Sequence, residues 1–108
     1  MVDGLWIVQY HGAGGVGGGV VVFTKGQVLG GDSGFAYVGS YEEKGDVLKA
    51  KVSVTNFDPN IPSVVGVPGN HELLIEGKIK NDTIDATGAL ATHPDTKIVV
   101  QLSRHHKL

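Results

Sequence analysis

Residues 34–57 decide the fold, and they read GFAYVGSYEEKGDVLKAKVSVTNF. Large aromatic and smaller side chains alternate before a charged centre that contains Lys44 and Gly45, and apolar and polar side chains alternate after it. Successive side chains of a β-strand point to opposite faces, so a period of two predicts two strands joined by a tight turn. This segment therefore predicts an antiparallel hairpin with one apolar face.

The same alternation continues in both directions along the chain, broken by glycine, asparagine and aspartate. The predicted strands are residues 4–10, 19–24, 27–29, 34–42, 46–57, 71–80, 83–90 and 97–102. Residues 58–69 carry three prolines, which cannot donate to a ladder, so they are expected to form a long crossing loop in which one helical turn is an option. Residues 103–108 are expected to fray as a tail.

Eight strands in a meander can close into a barrel, which removes exposed edges and leaves an interior for side chains or one small ligand. No amphipathic helix and no boundary between two domains is visible. The sequence therefore predicts a single all-β domain of residues 1–108, folded as an eight-stranded antiparallel up-and-down β-barrel.

Composition and charge exclude several function classes. A formal net charge of −2 gives no electrostatic footprint for nucleic acid or an anionic membrane. No stretch approaches the roughly 20 apolar residues of a membrane span, and the first residues lack the pattern of a signal peptide, which predicts a cytoplasmic location. The absence of cysteine excludes disulfides, thiolate metal sites and a cysteine nucleophile.

Residues 12–17, GAGGVG, match the glycine fingerprint of dinucleotide-binding folds. That chemistry requires a helix N-terminus for the pyrophosphate, but here a β-branched run follows, Val20 to Phe23. The segment is therefore predicted to be a flexible hairpin loop.

Catalytic and metal-binding patterns are weak. Ser33 beside Asp32 lacks the spacing of a nucleophile elbow and is better explained as a tight turn. His105 and His106 would point to opposite faces of a strand, which makes them a poor chelate. The sequence predicts a protein that is not an enzyme and that has no cofactor or metal.

Binding features are more plausible. Seven aromatic residues could either fill a barrel or line an apolar pocket within it. They are Trp6, Tyr10, Phe23, Phe35, Tyr37, Tyr41 and Phe57, of which Trp6, Phe23, Phe35, Tyr37 and Tyr41 are the candidates for cavity lining. A predicted hairpin tip carries three acidic residues, Glu42, Glu43 and Asp46. A basic partner could bind these side chains, or they could simply be exposed to solvent in an ordinary turn.

The order of short motifs along the chain resembles the GrlR family, small negative regulators of bacterial type III secretion gene expression. The motifs are DGLW at 3–6, GGV at 18–20, GQVL running into GGD at 26–32, YVGSY at 37–41, NIPSV at 60–64 and HEL at 71–73. The resemblance covers the chain from Asp3 to about Leu102.

The resemblance implies a lipocalin-like barrel that forms a homodimer and sequesters a transcriptional activator. Family members use an acidic loop for that contact, and the corresponding residues here are Glu42, Glu43 and Asp46, with Lys44 and Gly45 interrupting the acidic run. A basic protein partner is therefore expected at this turn. The alternative is a lipocalin-like carrier or sensor of a small apolar ligand in the barrel interior.

Overall fold

The chain forms a closed barrel of eight antiparallel strands in the computed structural model, which describes residues 1–62 and 69–108. The strands are β1 (Gly4–Gly12), β2 (Gly15–Thr24), β3 (Gln27–Gly31), β4 (Phe35–Lys44), β5 (Val47–Asn56), β6 (His71–Lys80), β7 (Thr83–Leu90) and β8 (His93–Lys107). Each strand pairs with its sequence neighbours, and β8 pairs with β1 to close the sheet. The predicted all-β up-and-down barrel is confirmed.

No helix is found in the described ranges, and none there could cross a membrane. The crossing segment predicted for residues 58–69 connects β5 to β6. Its residues 63–68, including Pro68, lie outside the described part of the chain, so the helical turn considered there is not described.

Alternation along the strands separates the core from the outer surface. On β4, Phe35 and Tyr37 point into the barrel and are buried, whereas the next residue, Val38, points outward and is 56% exposed. The same period holds on β1, where Trp6 and Val8 point inward. A residue's place in the period of two therefore decides whether it can reach the interior.

One end of the barrel is closed by aromatic packing. Trp6 contacts Phe23 edge-on with ring centroids 6.0 Å apart, and Phe23 contacts Tyr41 at 5.0 Å. The Trp6 indole N–H donates to the Val2 carbonyl at 2.8 Å, and the guanidinium of Arg104 lies 4.9 Å from the Trp6 ring centroid. Because both Trp6 and Val2 are fully buried, this end is sealed from solvent.

The largest departures from the predicted strand boundaries are in β2 and β8, while β1, β3 and β4 each end two residues later than predicted. β2 begins at Gly15 rather than at residue 19, so residues 15–18 are part of a strand and not of a flexible loop. Glycine lowers strand propensity, which hid this start, but the ladder to β1 satisfies the backbone groups of these residues. The connection between β1 and β2 is reduced to Ala13 and Gly14.

The last strand is longer than predicted at both ends. The expectation that residues 103–108 form a frayed tail is wrong for residues 103–107, which belong to β8. They pair with the start of β1, Arg104 with Trp6 and His106 with Leu5. The reason is that a closed barrel requires a partner for this part of β1. At its other end β8 begins at His93, and the register shift beside Leu90 places Pro94 in a bulge that needs no backbone donor.

Candidate functional site

The barrel interior contains a cavity of about 320 Å³. Its wall is mostly aliphatic and aromatic, and it lies towards the barrel end opposite Trp6, where the β1–β2 hairpin and the β3–β4 loop meet. The lining includes Val16, which is 82% exposed, and the exposed Ser33, so among the described residues the cavity reaches the surface at this end. A volume of this size is at the lower limit of ligand pockets, about 300–1,000 Å³.

A polar cluster of Tyr10, Asp32 and Tyr37 lies in the wall of this cavity, near its opening. Both phenolic hydroxyls contact the Oδ2 atom of Asp32, and the two hydroxyl oxygens are 2.9 Å apart. The other carboxylate oxygen, Oδ1, accepts hydrogen bonds from the backbone N–H groups of Gly34 and Phe35, both at 2.9 Å. We call these three residues the Tyr-Asp-Tyr cluster.

Each member of the cluster is positioned by a local feature of the chain. Tyr10 points inward from β1 and lies against Gly17 of β2, where an added Cβ atom would be 2.7 Å from the ring. Tyr37 points inward from β4, and the buried start of that strand fixes its position. Asp32 is held by a tight turn in which its own N–H donates to the Phe35 carbonyl at 2.9 Å, which confirms the turn predicted there.

The hydrogen bonds within the cluster set the ionisation of its members. Burial alone would raise the pKa of Asp32, but hydrogen bonds from the two tyrosines and from backbone N–H groups outweigh burial and lower this pKa below its usual value. Burial and the hydrogen bond to the carboxylate raise the pKa of Tyr10 to about 12, and the same causes raise the pKa of Tyr37. At neutral pH the cluster therefore holds one carboxylate and two protonated phenols.

The five aromatic candidates divide between the cavity and the closed end. Phe23, Phe35 and Tyr37 line the cavity. Trp6 and Tyr41 are outside its lining, since they belong to the aromatic packing that seals the other end. Their strand faces were predictable, but the end of the barrel to which each contributes was not.

The three acidic residues proposed for partner binding lie at the closed end and do not form one surface. Glu43 points inward on β4, where its carboxylate accepts from the Val2 N–H at 3.0 Å and lies 3.5 Å from the Met1 amino group. Glu42, its neighbour, points outward and is exposed. Asp46 pairs with Lys78 at 3.0 Å, and that hydrogen bond lowers the pKa of Asp46.

Sequence reasoning did not identify the Tyr-Asp-Tyr cluster. It assigns Asp32 to a turn, and it names Tyr10 among the aromatic residues that fill the barrel or line a pocket without selecting it for cavity lining. A signal was present, because Tyr10 and Tyr37 occupy the same inward phase as their buried neighbours Val8 and Phe35. Their approach to Asp32, however, depends on the pairing of β1 with β2 and of β2 with β3.

Comparison with protein-family models and with curated proteins gives no match to this chain. The resemblance to the GrlR family therefore rests on its short motifs, and the function that it implies stays a prediction. Within residues 1–62 and 69–108, no group of three or more His, Asp or Glu side chains is arranged to hold a metal ion.

Proposed function

We propose that this barrel binds one small, mainly apolar molecule in its interior. The observation that supports the proposal is the cavity of about 320 Å³, whose wall combines apolar side chains with a few convergent polar groups. This combination is typical of small-molecule sites, where apolar contact supplies affinity and a few polar groups fix orientation. The carrier or sensor function considered from the sequence thus has more support than activator binding.

The ionisation of the cluster supports a role in binding rather than in catalysis. General acid–base chemistry is most effective when a group's pKa is near the working pH. The pKa of Asp32 is lowered and that of Tyr10 is raised to about 12, so both move away from neutrality. We therefore retain the prediction that the protein is not an enzyme. The cytoplasmic location stays a prediction from the sequence alone.

Titration with 4-(dimethylamino)benzonitrile, a small uncharged fluorescent dye whose size matches the cavity, tests the proposal. We expect saturable binding of one dye per chain with a blue-shifted emission, since the dye would leave water for the cavity. Val54 points into the cavity and Thr55 points outward on the same strand, so Val54→Phe should lose most of the affinity and Thr55→Phe should keep it. Binding that does not saturate, or equal loss in both variants, would refute the proposal.

Binding of an activator at the acidic turn remains a separate proposal, and its chemistry centres on Glu42. Among the described residues Glu42 has neither an ion pair nor a side-chain hydrogen bond, whereas Glu43 and Asp46 both have such partners. Charge reversal at Glu42 should therefore weaken capture of a basic protein without changing Tm. Charge reversal at Glu43 should lower Tm, so loss of capture by that variant alone would not support a partner site.

The homodimer is also retained as a proposal, supported by an apolar row on the outer face. The strand register aligns four apolar residues across β1 to β4, namely Leu5, Val22, Leu29 and Val38. Two of them, Leu29 and Val38, are 41% and 56% exposed. A continuous exposed apolar row is typical of an interface. We expect Val38→Lys to convert a dimer to a monomer in sedimentation, and a monomeric wild type would contradict the proposal.

A further inference from the structure

We propose that the interior site selects a molecule with a protonated amine at one end of an apolar body, and that this amine binds at the Tyr-Asp-Tyr cluster. The inference rests on the proposed function, because it needs the cavity to accept a ligand. It goes further by naming the group that the polar end of the cavity recognises.

The cluster contains fewer hydroxyl hydrogens than contacts between oxygen atoms. Tyr10 and Tyr37 carry one hydroxyl hydrogen each, and the cluster contains three oxygen contacts, two to Asp32 and one between the phenols. Two hydrogens cannot satisfy more than two of these contacts, so both are used within the cluster. No hydroxyl hydrogen is left for a ligand, and the cluster can only accept hydrogen bonds from one.

A hydrogen-bond donor of a ligand would bind at the phenolic oxygens of the cluster rather than at the carboxylate. Asp32 already accepts two backbone N–H groups on Oδ1 and the phenols on Oδ2, which fills the usual positions around a carboxylate. The free lone pairs are on the phenolic oxygens of Tyr10 and Tyr37, which are 2.9 Å apart. One donor group with two or three hydrogens, such as an ammonium, can bridge this pair.

Asp32 carries a negative charge without a cation beside it among the described residues. None of the ion pairs among the described residues involves Asp32, so its negative charge has no cationic partner there. The apolar wall around the cluster lowers the local dielectric constant and strengthens attraction for a cation over that in water. An ammonium would supply both the missing charge and the missing donors, whereas a carboxylate ligand would supply neither.

The size of the cavity limits the apolar body. At about 30 Å³ for each water-sized group, a volume of about 320 Å³ accommodates roughly ten non-hydrogen atoms. An eight-carbon chain with one head group has this size. The aromatic rings of Phe35 and Tyr37 at the same end offer further contact for a cation.

The test is calorimetric titration at pH 7.5 with four probes that share an eight-carbon chain and differ in the head group. These probes are octylamine, 1-octanol, methyl octanoate and octanoate. We expect octylamine to bind about tenfold more tightly than octanol, because a charge-assisted hydrogen bond is about twice as strong as a neutral one. Methyl octanoate, which only accepts, and octanoate, which is an anion, should bind more weakly than octanol.

Two variants connect this preference to the cluster. Asp32→Asn should reduce the advantage of octylamine over octanol to less than about twofold, while Tyr37→Phe should weaken both donors and leave methyl octanoate unchanged. Asp85→Asn makes the same charge change on the exposed outer face of β7 and serves as the matched control. If Asp32→Asn fails to fold, as judged by circular dichroism, the Tyr37→Phe comparison decides.

Failure of this inference differs from failure of the proposed function. If all four probes bind with similar affinity, or if octanoate binds best, the interior is a ligand site but the amine preference is wrong. A preference for octylamine that persists in Asp32→Asn and falls in Asp85→Asn would assign it to the outer surface and overturn the inference. If no probe and no apolar dye binds, both proposals are wrong.

Discussion

Replacing Ala50 with leucine should stabilise the protein and reduce its capacity for a ligand. Ala50 points inward from β5, between Tyr41 and Ile75 in the register, and lines the cavity. The three added carbons would enter empty apolar space, which at about 0.8 kcal/mol each gives an upper limit of about 2.4 kcal/mol. Loss of leucine side-chain freedom costs about 0.5–1 kcal/mol, so the free energy of unfolding should rise by about 1.5 kcal/mol.

A gain of this size corresponds to an increase in Tm of about 5–10 °C for a domain of this length. The same three carbons, at about 30 Å³ each, would occupy about a quarter of the cavity. Calorimetric unfolding and dye titration on one protein preparation would therefore show opposite changes, with a higher Tm and a lower dye affinity. Ala36→Leu is the matched control, because Ala36 points outward on β4 and its extra carbons would stay in contact with water.

The reasoning would be refuted by a lower Tm in Ala50→Leu, because a well-packed interior resists added volume at a cost of about 1–3 kcal/mol. An unchanged dye affinity combined with a raised Tm would also refute it, since the dye would then bind elsewhere. Equal effects of Ala50→Leu and Ala36→Leu would show that the inner and outer faces of the sheet do not differ as the structure describes.

Three further predictions follow from the Tyr-Asp-Tyr cluster. The pKa of Asp32 is lowered in the folded state, so its contribution to stability is present above the unfolded pKa of about 3.9 and is lost as pH falls through the folded pKa. When Tm is measured at decreasing pH, wild type should therefore lose more stability than Asp32→Asn. Parallel curves for the two proteins would contradict this. The pKa of Tyr10 is raised to about 12, and the pKa values of Tyr37 and Tyr41 are also raised. Tyrosinate absorbance at pH 10.5 should therefore be low in the folded protein and high in urea. The stability that comes from these protonated tyrosines should be lost as pH rises above their unfolded pKa of about 10. In Gly17→Ala the new Cβ atom would lie 2.7 Å from the Tyr10 ring and displace it, so octylamine affinity should fall. The double variant Gly17→Ala/Tyr10→Phe should bind octylamine no more weakly than Tyr10→Phe alone. Additive losses of affinity would contradict this coupling.

Most of the fold was predictable because period-two alternation reports directly on which face of a strand is buried. The alternation sorts the side chains of β1, β4 and β5 into the two sets that the structure places on opposite faces, and it predicts the solvent face of β5. The errors fall where long-range pairing overrides local preference. Residues 103–107 are polar and have no alternation of their own, yet they pair with β1 because barrel closure leaves that strand without another partner.

The candidate site was predictable only in part, since a cavity is set by what the strands bring together rather than by any one segment. The sequence indicated aromatic lining, but the separation of Trp6 and Tyr41 from Phe35 and Tyr37 depends on the end of the barrel that each side chain faces. Asp32 could be assigned to a turn from its neighbours. Its second role, as acceptor for two phenols from other strands, needed the register of the closed sheet.

The glycines of the β1–β2 hairpin explain why the cluster exists at this position. An inward-facing side chain at Gly17 would occupy the place of the Tyr10 ring, and one at Gly19 would lie 2.5 Å from the Gly31 carbonyl oxygen. Gly30 on β3 is equally restricted, since an added Cβ atom would be 2.1 Å from the Val20 carbonyl oxygen. Small residues on β2 and β3 thus let the strands approach closely and leave room for Tyr10 inside. Within the run that resembles a phosphate-binding loop, Gly17 is therefore required by packing against Tyr10, which makes the polar end of the cavity sensitive to any side chain introduced there.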